Sequence, residues 1–343
     1  PETCTELRGE VTNGGESFAI DLGWSKYPLC HFDGAPSIVT MLVRDWQSRM
    51  SEVSMGGPED RDEWGTSEST ELYQVTGWGD PYFRIGDNGH LEVCPDPDRD
   101  KAIDLHELTL DLEARGLDLP LLIRFSDIVK DRIKHVNESF AKAIEQFDYP
   151  GDYRSVFPVK VNQQRHLIDE VVEFGSAWGL GLEAGSKPEL LVALAAATEP
   201  RALVVCNGFK DSEFIETALL AQSFDKTVVI VLERIEELEI AIAASKKTGL
   251  RPILGIRAKL SAQGVGRWKS SSGPRAKFGL TAAEIVDAVE RLRELDMLDC
   301  LRLLHFHVGS QVSSILPIKN ALREAGRIYV ELAKMGAQMG YLD

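Results

Sequence analysis

The sequence predicts an α/β protein built on a parallel sheet with helical crossovers. Apolar, strand-like runs centred near Phe157, Gly181, Val204, Ile230 and Gly255 recur at intervals of 24, 23, 26 and 25 residues. Helices with recognisable ends lie between them, and the polar residues suited to chemistry stand at the carboxyl ends of the runs. Parallel neighbours need a crossover of about a dozen residues or more, so a beat of this length suits repeated βα units. Two closures satisfy the pattern, an open doubly wound sheet and a (β/α)8 barrel. No GxGxxG loop follows any strand, which weakens the dinucleotide-binding form of the first. Periodicity alone does not choose between the two.

Taken in order, residues 1–68 mix Gly, Ser, Glu and isolated apolar patches without lasting periodicity, and read as an acidic extension, family-variable or poorly ordered, with no assigned function. Residues 69–125 are richer in strand signals. Tyr82-Phe-Arg-Ile and His90-Leu-Glu-Val flank Gly86-Asp-Asn-Gly89, a hairpin pattern, and Leu119 to Phe125 reads as another strand. From Ser126 to about Phe147 an amphipathic helix places Ile128, Ile133, Val136, Phe140 and Ile144 on one side. The βα repeats of residues 126–343 follow. Ser186-Lys-Pro-Glu189 reads as a capping box opening a helix from Leu190 to Ala197, and Thr281-Ala-Ala-Glu284 opens another. Gly249 closes the helix that begins near Glu233. A sixth strand, Leu301 to Val308, comes after a glycine- and serine-rich loop from Lys259 to Leu280. Tyr341-Leu-Asp343 looks like the opening of a seventh, and the chain starts with Pro1, so the expectation is a partial chain with about six of eight units.

Composition narrows the function classes. The 343 residues are 43% hydrophobic and 27% charged, with no apolar run near a membrane span of ~20 residues. A net charge of −16 argues against non-specific attraction to nucleic acid or an anionic membrane. Five widely spaced cysteines without a CxxC pair favour a reducing cytoplasm over a disulfide framework or a zinc site.

The candidate chemistry starts with Ser155-Val-Phe-Pro-Val-Lys160-Val161-Asn162-Gln163. A lysine at the tip of a buried strand is expected to be desolvated, which lowers its pKa towards the reactive free amine. Alternation would place Pro158, Lys160 and Asn162 on one face, looking into the sheet's mouth. A lysine snorkelling from a strand end fits the same residues. Glu183, in Gly181-Leu-Glu183-Ala-Gly, could orient Lys160 or Arg257. Arg257 ends the apolar strand Ile253-Leu-Gly-Ile, where a buried guanidinium must be paired and a structural salt bridge is as good a reading. His305 and His307 share a face of the sixth strand, and buried strand histidines are commonly satisfied core residues. Asn207 and Lys210-Asp211, at another strand end, could line the mouth. No carboxylate or third histidine stands at metal-ligand spacing.

In this order the motifs of Lys160, Glu183, Arg257 and His305-Phe-His307-Val-Gly309-Ser310-Gln311 closely resemble the biosynthetic arginine decarboxylases, pyridoxal-phosphate (PLP) enzymes of the alanine-racemase-like group. Gly77-Trp-Gly-Asp-Pro-Tyr-Phe83, Leu122-Ile-Arg-Phe125 and Cys206-Asn-Gly-Phe-Lys-Asp211 look specific to the arginine branch. The resemblance covers roughly residues 72–343. It implies a barrel, here truncated, and a second β domain to which residues 69–125 would contribute. It implies that Lys160 carries PLP, that His307 lies flat against the cofactor ring, that Arg257 stands beside the phenolic oxygen, and that Ser310 contacts the phosphate. Glu183 would line the same site. The implied reaction is decarboxylation of L-arginine to agmatine in a cytoplasmic homo-oligomer of the intact protein, in an enzyme family also associated with Mg2+. The family's glycine-rich phosphate loop, its acidic partner of the pyridine nitrogen and its dimer-donated residues would come later, so the 343-residue piece is expected to be inactive alone. A diaminopimelate or ornithine decarboxylase, a non-catalytic PLP-binding homologue and a barrel that binds phosphorylated sugars are the alternatives.

Overall fold

The computed structural model describes residues 8–13, 16–22, 64–96, 101–197, 199, 202–261, 276–309, 312 and 314–343. The chain divides into two compact units, Pro1–Asp131 and Arg132–Asp343.

In the first unit, β1 (Arg8–Asn13) and β2 (Glu16–Leu22) form an antiparallel hairpin. The sequence pattern gives no sign of this hairpin; residues 1–7, 14–15 and 23–63 of the same stretch lie outside the described residues. The hairpin's outer partner lies far along the chain, where local pattern could not indicate it. Two short helices follow, α1 (Thr66–Leu72) and α2 (Val75–Gly79). The expected hairpin is present as β3 (Phe83–Ile85) and β4 (Leu91–Val93), extended by β5 (Ile103–Asp104). Helix α3 (Leu105–Ala114) is capped by the Asp104 carboxylate, which accepts from the N–H groups of His106 and Glu107. Val93, Ile103, Leu108 and Leu112 form a small core. β6 spans only Ile123–Phe125 and pairs with β2; the run before it holds Pro120, which has no N–H to donate to a ladder.

Helix α4 (Ser126–Gln146) leads into the second unit. There β7 (Val156–Pro158), helix α5 (Arg165–Gly175), β8 (Gly181–Ala184), α6 (Lys187–Ala196), β9 (Leu203–Cys206), α7 (Ser212–Ala221), β10 (Thr227–Leu232), α8 (Glu236–Thr248), β11 (Ile253–Arg257), α9 (Ala282–Glu294), β12 (Leu301–His305), α10 (Ile315–Lys334) and β13 (Tyr341–Leu342) alternate without a break. The seven strands are parallel and lie side by side in chain order. A doubly wound sheet reverses its strand order at a switch point; this one never does, so the closure it belongs to is the (β/α)8 barrel, present in part.

Burial on both faces explains the apolar runs. Val228 to Leu232 are all fully buried, as are Val204, Leu254, Ile256 and Leu304. Leu203, Val205, Val229, Val231 and Leu303 cluster on the inner face. Helix ends are as the sequence predicts at Thr281, whose capping box with Glu284 is complete, and at Gly249, which closes α8 with a φ of 73°. At Ser186 the pattern differs. Its hydroxyl accepts from the Glu189 N–H, but the Glu189 carboxylate reaches back one residue further, to the Gly185 N–H at 2.7 Å.

The turn after β9 is tied to the turn after β8. Gly208 has a φ of +73°, and a Cβ there would stand 2.3 Å from the Gly185 carbonyl oxygen. Replacing Gly208 with alanine adds left-handed strain to this clash and is expected to cost at least about 2 kcal/mol. Urea denaturation checks it; an unchanged midpoint would show that the close approach is dispensable.

Candidate active site

Parallel pairing brings the candidate residues to one edge. Register then fixes their face, because directly paired residues point the same way. Glu183 pairs with Val205, which pairs with Val229; Val231 pairs with Gly255, which pairs with Leu303; Arg257 pairs with His305. Glu183, Arg257 and His305 therefore share the inner face with the core cluster, at the strands' carboxyl ends.

Lys160 is at this edge, but not as expected. The strand ends at Pro158, and residues Val159–Val161 make a single 3-10 turn, so the proposed alternation through Asn162 does not exist. Nor is Lys160 desolvated: its side chain is 61% exposed and forms an ion pair with Glu183, Nζ to Oε1 3.1 Å. Of the two partners suggested for Glu183, the structure selects Lys160. His307 is exposed beyond the end of β12. Partial desolvation by the surrounding strand tips, then the positive charges of Arg257, His305 and Lys160, hold it below the ordinary imidazole value of 6.5. The Lys160 amine and the Arg257 guanidinium are thus each near enough to act on the His307 ring. His305 is tied instead to the Asp343 carboxylate, Nδ1 to Oδ2 2.6 Å. Ser310 and residues 262–275 of the loop after β11 lie outside the described residues.

Sequence reasoning missed the charges behind this edge. Arg257 is paired with Glu233, Nη1 to Oε1 3.1 Å, and the Glu233 side chain is 1% exposed. Lys210 is fully buried and paired with Glu237, Nζ to Oε2 3.0 Å; it does not line the mouth. Asp211 caps α7 by accepting from the Phe214 N–H, and Asn207 is buried with its Oδ1 lacking a partner. Cys206 is inert as a nucleophile, since burial pushes its thiol up to about 12. The available signal was an acidic residue directly after the apolar run Val228 to Leu232, with a second one helical turn on.

An exposed amine beside a carboxylate, an imidazole kept largely neutral and a paired arginine suit an aldehyde cofactor that needs a nucleophilic amine, a stacking surface and a cation. Among the described residues no group of three or more His, Cys, Asp or Glu could hold a metal ion, so nothing here fits the Mg2+ that the family resemblance implies. A cavity of about 780 Å³ is lined by Asn137, Tyr153, Trp178 and Ala202, among others, and includes none of Lys160, Glu183, Arg257 or His307.

The family model of the pyridoxal-dependent decarboxylases, pyridoxal binding domain, matches residues 133–343. The chain belongs to this family. Over 281 residues it is 57% identical to the biosynthetic arginine decarboxylase of Gloeobacter violaceus, covering 82% of this chain and 44% of that protein. It is 58% identical over 280 residues to that of Nostoc, covering 82% and 41%. The crystal structure of the biosynthetic arginine decarboxylase of Campylobacter jejuni superposes with a TM-score of 0.70 at 34% identity, over 79% of this chain and 43% of that one. The chain thus spans less than half the length of these relatives. Among the described residues no helix is long and apolar enough to cross a membrane.

Two outcomes follow from the charges of the pyridoxal-binding domain. Lys210→Met would strand the Glu237 carboxylate and is expected to cost about 3–5 kcal/mol in urea denaturation, with Lys210→Met/Glu237→Leu recovering much of the loss. The His307 ring should titrate below 6.5 by NMR, and Arg257→Gln should raise its midpoint. With the folded pKa below the unfolded value, the unfolded chain takes up the proton first as pH falls. The contribution of His307 to stability therefore worsens from about pH 6.5 downward.

Proposed function

We propose that this chain is the PLP-binding part of a cytoplasmic, homo-oligomeric arginine decarboxylase that releases agmatine and CO2 from L-arginine. The observation that carries this reading is the convergence of Lys160, Glu183, Arg257 and His307 on one edge of the family's sheet. The identity to arginine decarboxylases supports the substrate. The activity is that of the whole protein containing the chain.

Lys160 Nζ is the amine that holds the cofactor. To act as a nucleophile it must lose a proton, and Glu183 Oε1, at 3.1 Å, is placed to take it. The pair is largely solvated on the lysine side, so breaking it to admit a substrate amine costs little. His307 offers a mostly uncharged ring face for stacking. Arg257, a permanent cation, favours the ionised form of an adjacent phenolic oxygen. Ser310 would join backbone N–H groups at the phosphate. PLP, when bound, supplies the electron-withdrawing ring that takes up the electron pair of the broken C–C bond.

The test uses the full-length protein. Borohydride reduction of the PLP-loaded enzyme should leave a pyridoxyl group on the peptide carrying Lys160, and Lys160→Ala should lower kcat for agmatine formation by at least about a thousandfold. An adduct on another lysine, or a product from diaminopimelate or ornithine in preference to arginine, would overturn the assignment.

A further inference from the structure

Glu233 has no place in the scheme above, yet it is deeply buried and held on several sides. It follows the last residue of β10, and its side chain is 1% exposed. Its N–H donates to Glu237 Oε2 at 3.0 Å, and its carbonyl accepts from the Gly279 N–H at 2.9 Å. Its Oε1 accepts from the Gly208 N–H at 2.9 Å and from Arg257 Nη1 at 3.1 Å. Its Oε2 is buried with no hydrogen-bond partner among the described residues.

Those contacts are themselves anchored. Glu237 holds the Lys210 ammonium at 3.0 Å and accepts from the Lys210 N–H through Oε1, also at 3.0 Å. Lys210 Nζ donates in turn to the Gly208 carbonyl. Two strand-end turns and the start of α8 are thus cross-linked by one buried, fully paired lysine. Glu233 stands on that frame, and among the described residues Arg257 is the one cation paired with its carboxylate. A buried carboxylate is tolerated only when a cation answers it, and the guanidinium is held in turn.

We propose that Glu233 is the positioning residue for Arg257, fixing where the guanidinium stands at the cofactor's phenolic oxygen. The sequence offered Glu183 as a partner of Lys160 or of Arg257, and in the structure Glu183 is engaged with Lys160. The inference rests on the role proposed above for Arg257. Glu233 touches neither cofactor nor substrate in this scheme; it acts through the arginine.

The test is a double-mutant cycle on PLP affinity, read in the full-length protein from the visible absorption band of the bound cofactor. Outer partners of metal-ligating side chains cost about 10–100-fold in affinity when removed, and the same order is expected for the partner of a cofactor-holding arginine. Glu233→Gln should therefore weaken PLP binding about tenfold or more, as should Arg257→Gln, and the double variant should be no weaker than Arg257→Gln alone. A Glu233→Gln protein that binds PLP like the parent, or effects that multiply in the double variant, would overturn the proposal. Should Glu233→Gln fail to fold, Glu233→Asp decides: it keeps the charge but withdraws it by one methylene, and an unchanged affinity and band position would refute the positioning role. Failure of the underlying reading looks different, because Arg257→Gln would then bind PLP normally.

Discussion

The hydrogen-bond ladder of the parallel sheet is the constraint on which everything else rests. Each strand must be re-entered from the same end, so each crossover helix carries the chain back across the sheet before the next strand begins. Seven strands laid down in chain order consequently present seven carboxyl ends at one edge. Register adds the second condition. A slip of one residue would turn Glu183 and Arg257 from the inner face towards the helices, exchanging them for neighbours such as Leu182 and Ile256, which are fully buried there. The core cluster of Val205, Val229, Val231 and Leu303 that fixes the register therefore also aims the polar residues.

The ionic groups at this edge fall into two kinds with different physical consequences. Lys210–Glu237 and Arg257–Glu233 have buried carboxylates and little solvent to screen them. Losing one partner would leave a charge that neither water nor protein answers, so these pairs behave as fixtures. Lys160–Glu183 is exposed on the lysine side and contributes little to stability. The role proposed for Lys160, in which it lets go of its partner, reacts and is released again, suits the second kind.

What was legible in the sequence was local. The spacing of apolar runs located the strands, and caps at Thr281 and Gly249 located helix ends, because each depends on residues within a few positions. The hairpin of β1 and β2 escaped because its outer neighbour is β6, whose proximity no local pattern reveals. Lys160 was expected to be desolvated because it follows an apolar run. Pro158 has no N–H with which to continue the ladder, and the turn after it carries the side chain outward. The partners of Arg257 and Lys210 were invisible for a third reason. A charge in a buried strand end announces that it must be paired, but only the packing of three consecutive βα units says by which carboxylate.

The same accounting bears on how a phosphate is met here. The two cations proposed to serve the cofactor are each matched by a carboxylate, Lys160 by Glu183 and Arg257 by Glu233. Neither brings an unbalanced positive charge to neutralise a dianion, and the lowered titration of His307 removes a third source at neutral pH. On the proposed reading, and among the described residues, a phosphate at this edge would be held chiefly by oriented N–H and O–H donors, which act through geometry and need no net charge. The N–H groups of Gly208 and Gly185, at two of the strand ends, already donate to the carboxylates of Glu233 and Glu189 and are not free for this task. The role proposed for Ser310 follows the same logic, since a hydroxyl adds a donor without disturbing the charge balance that the carboxylates have set.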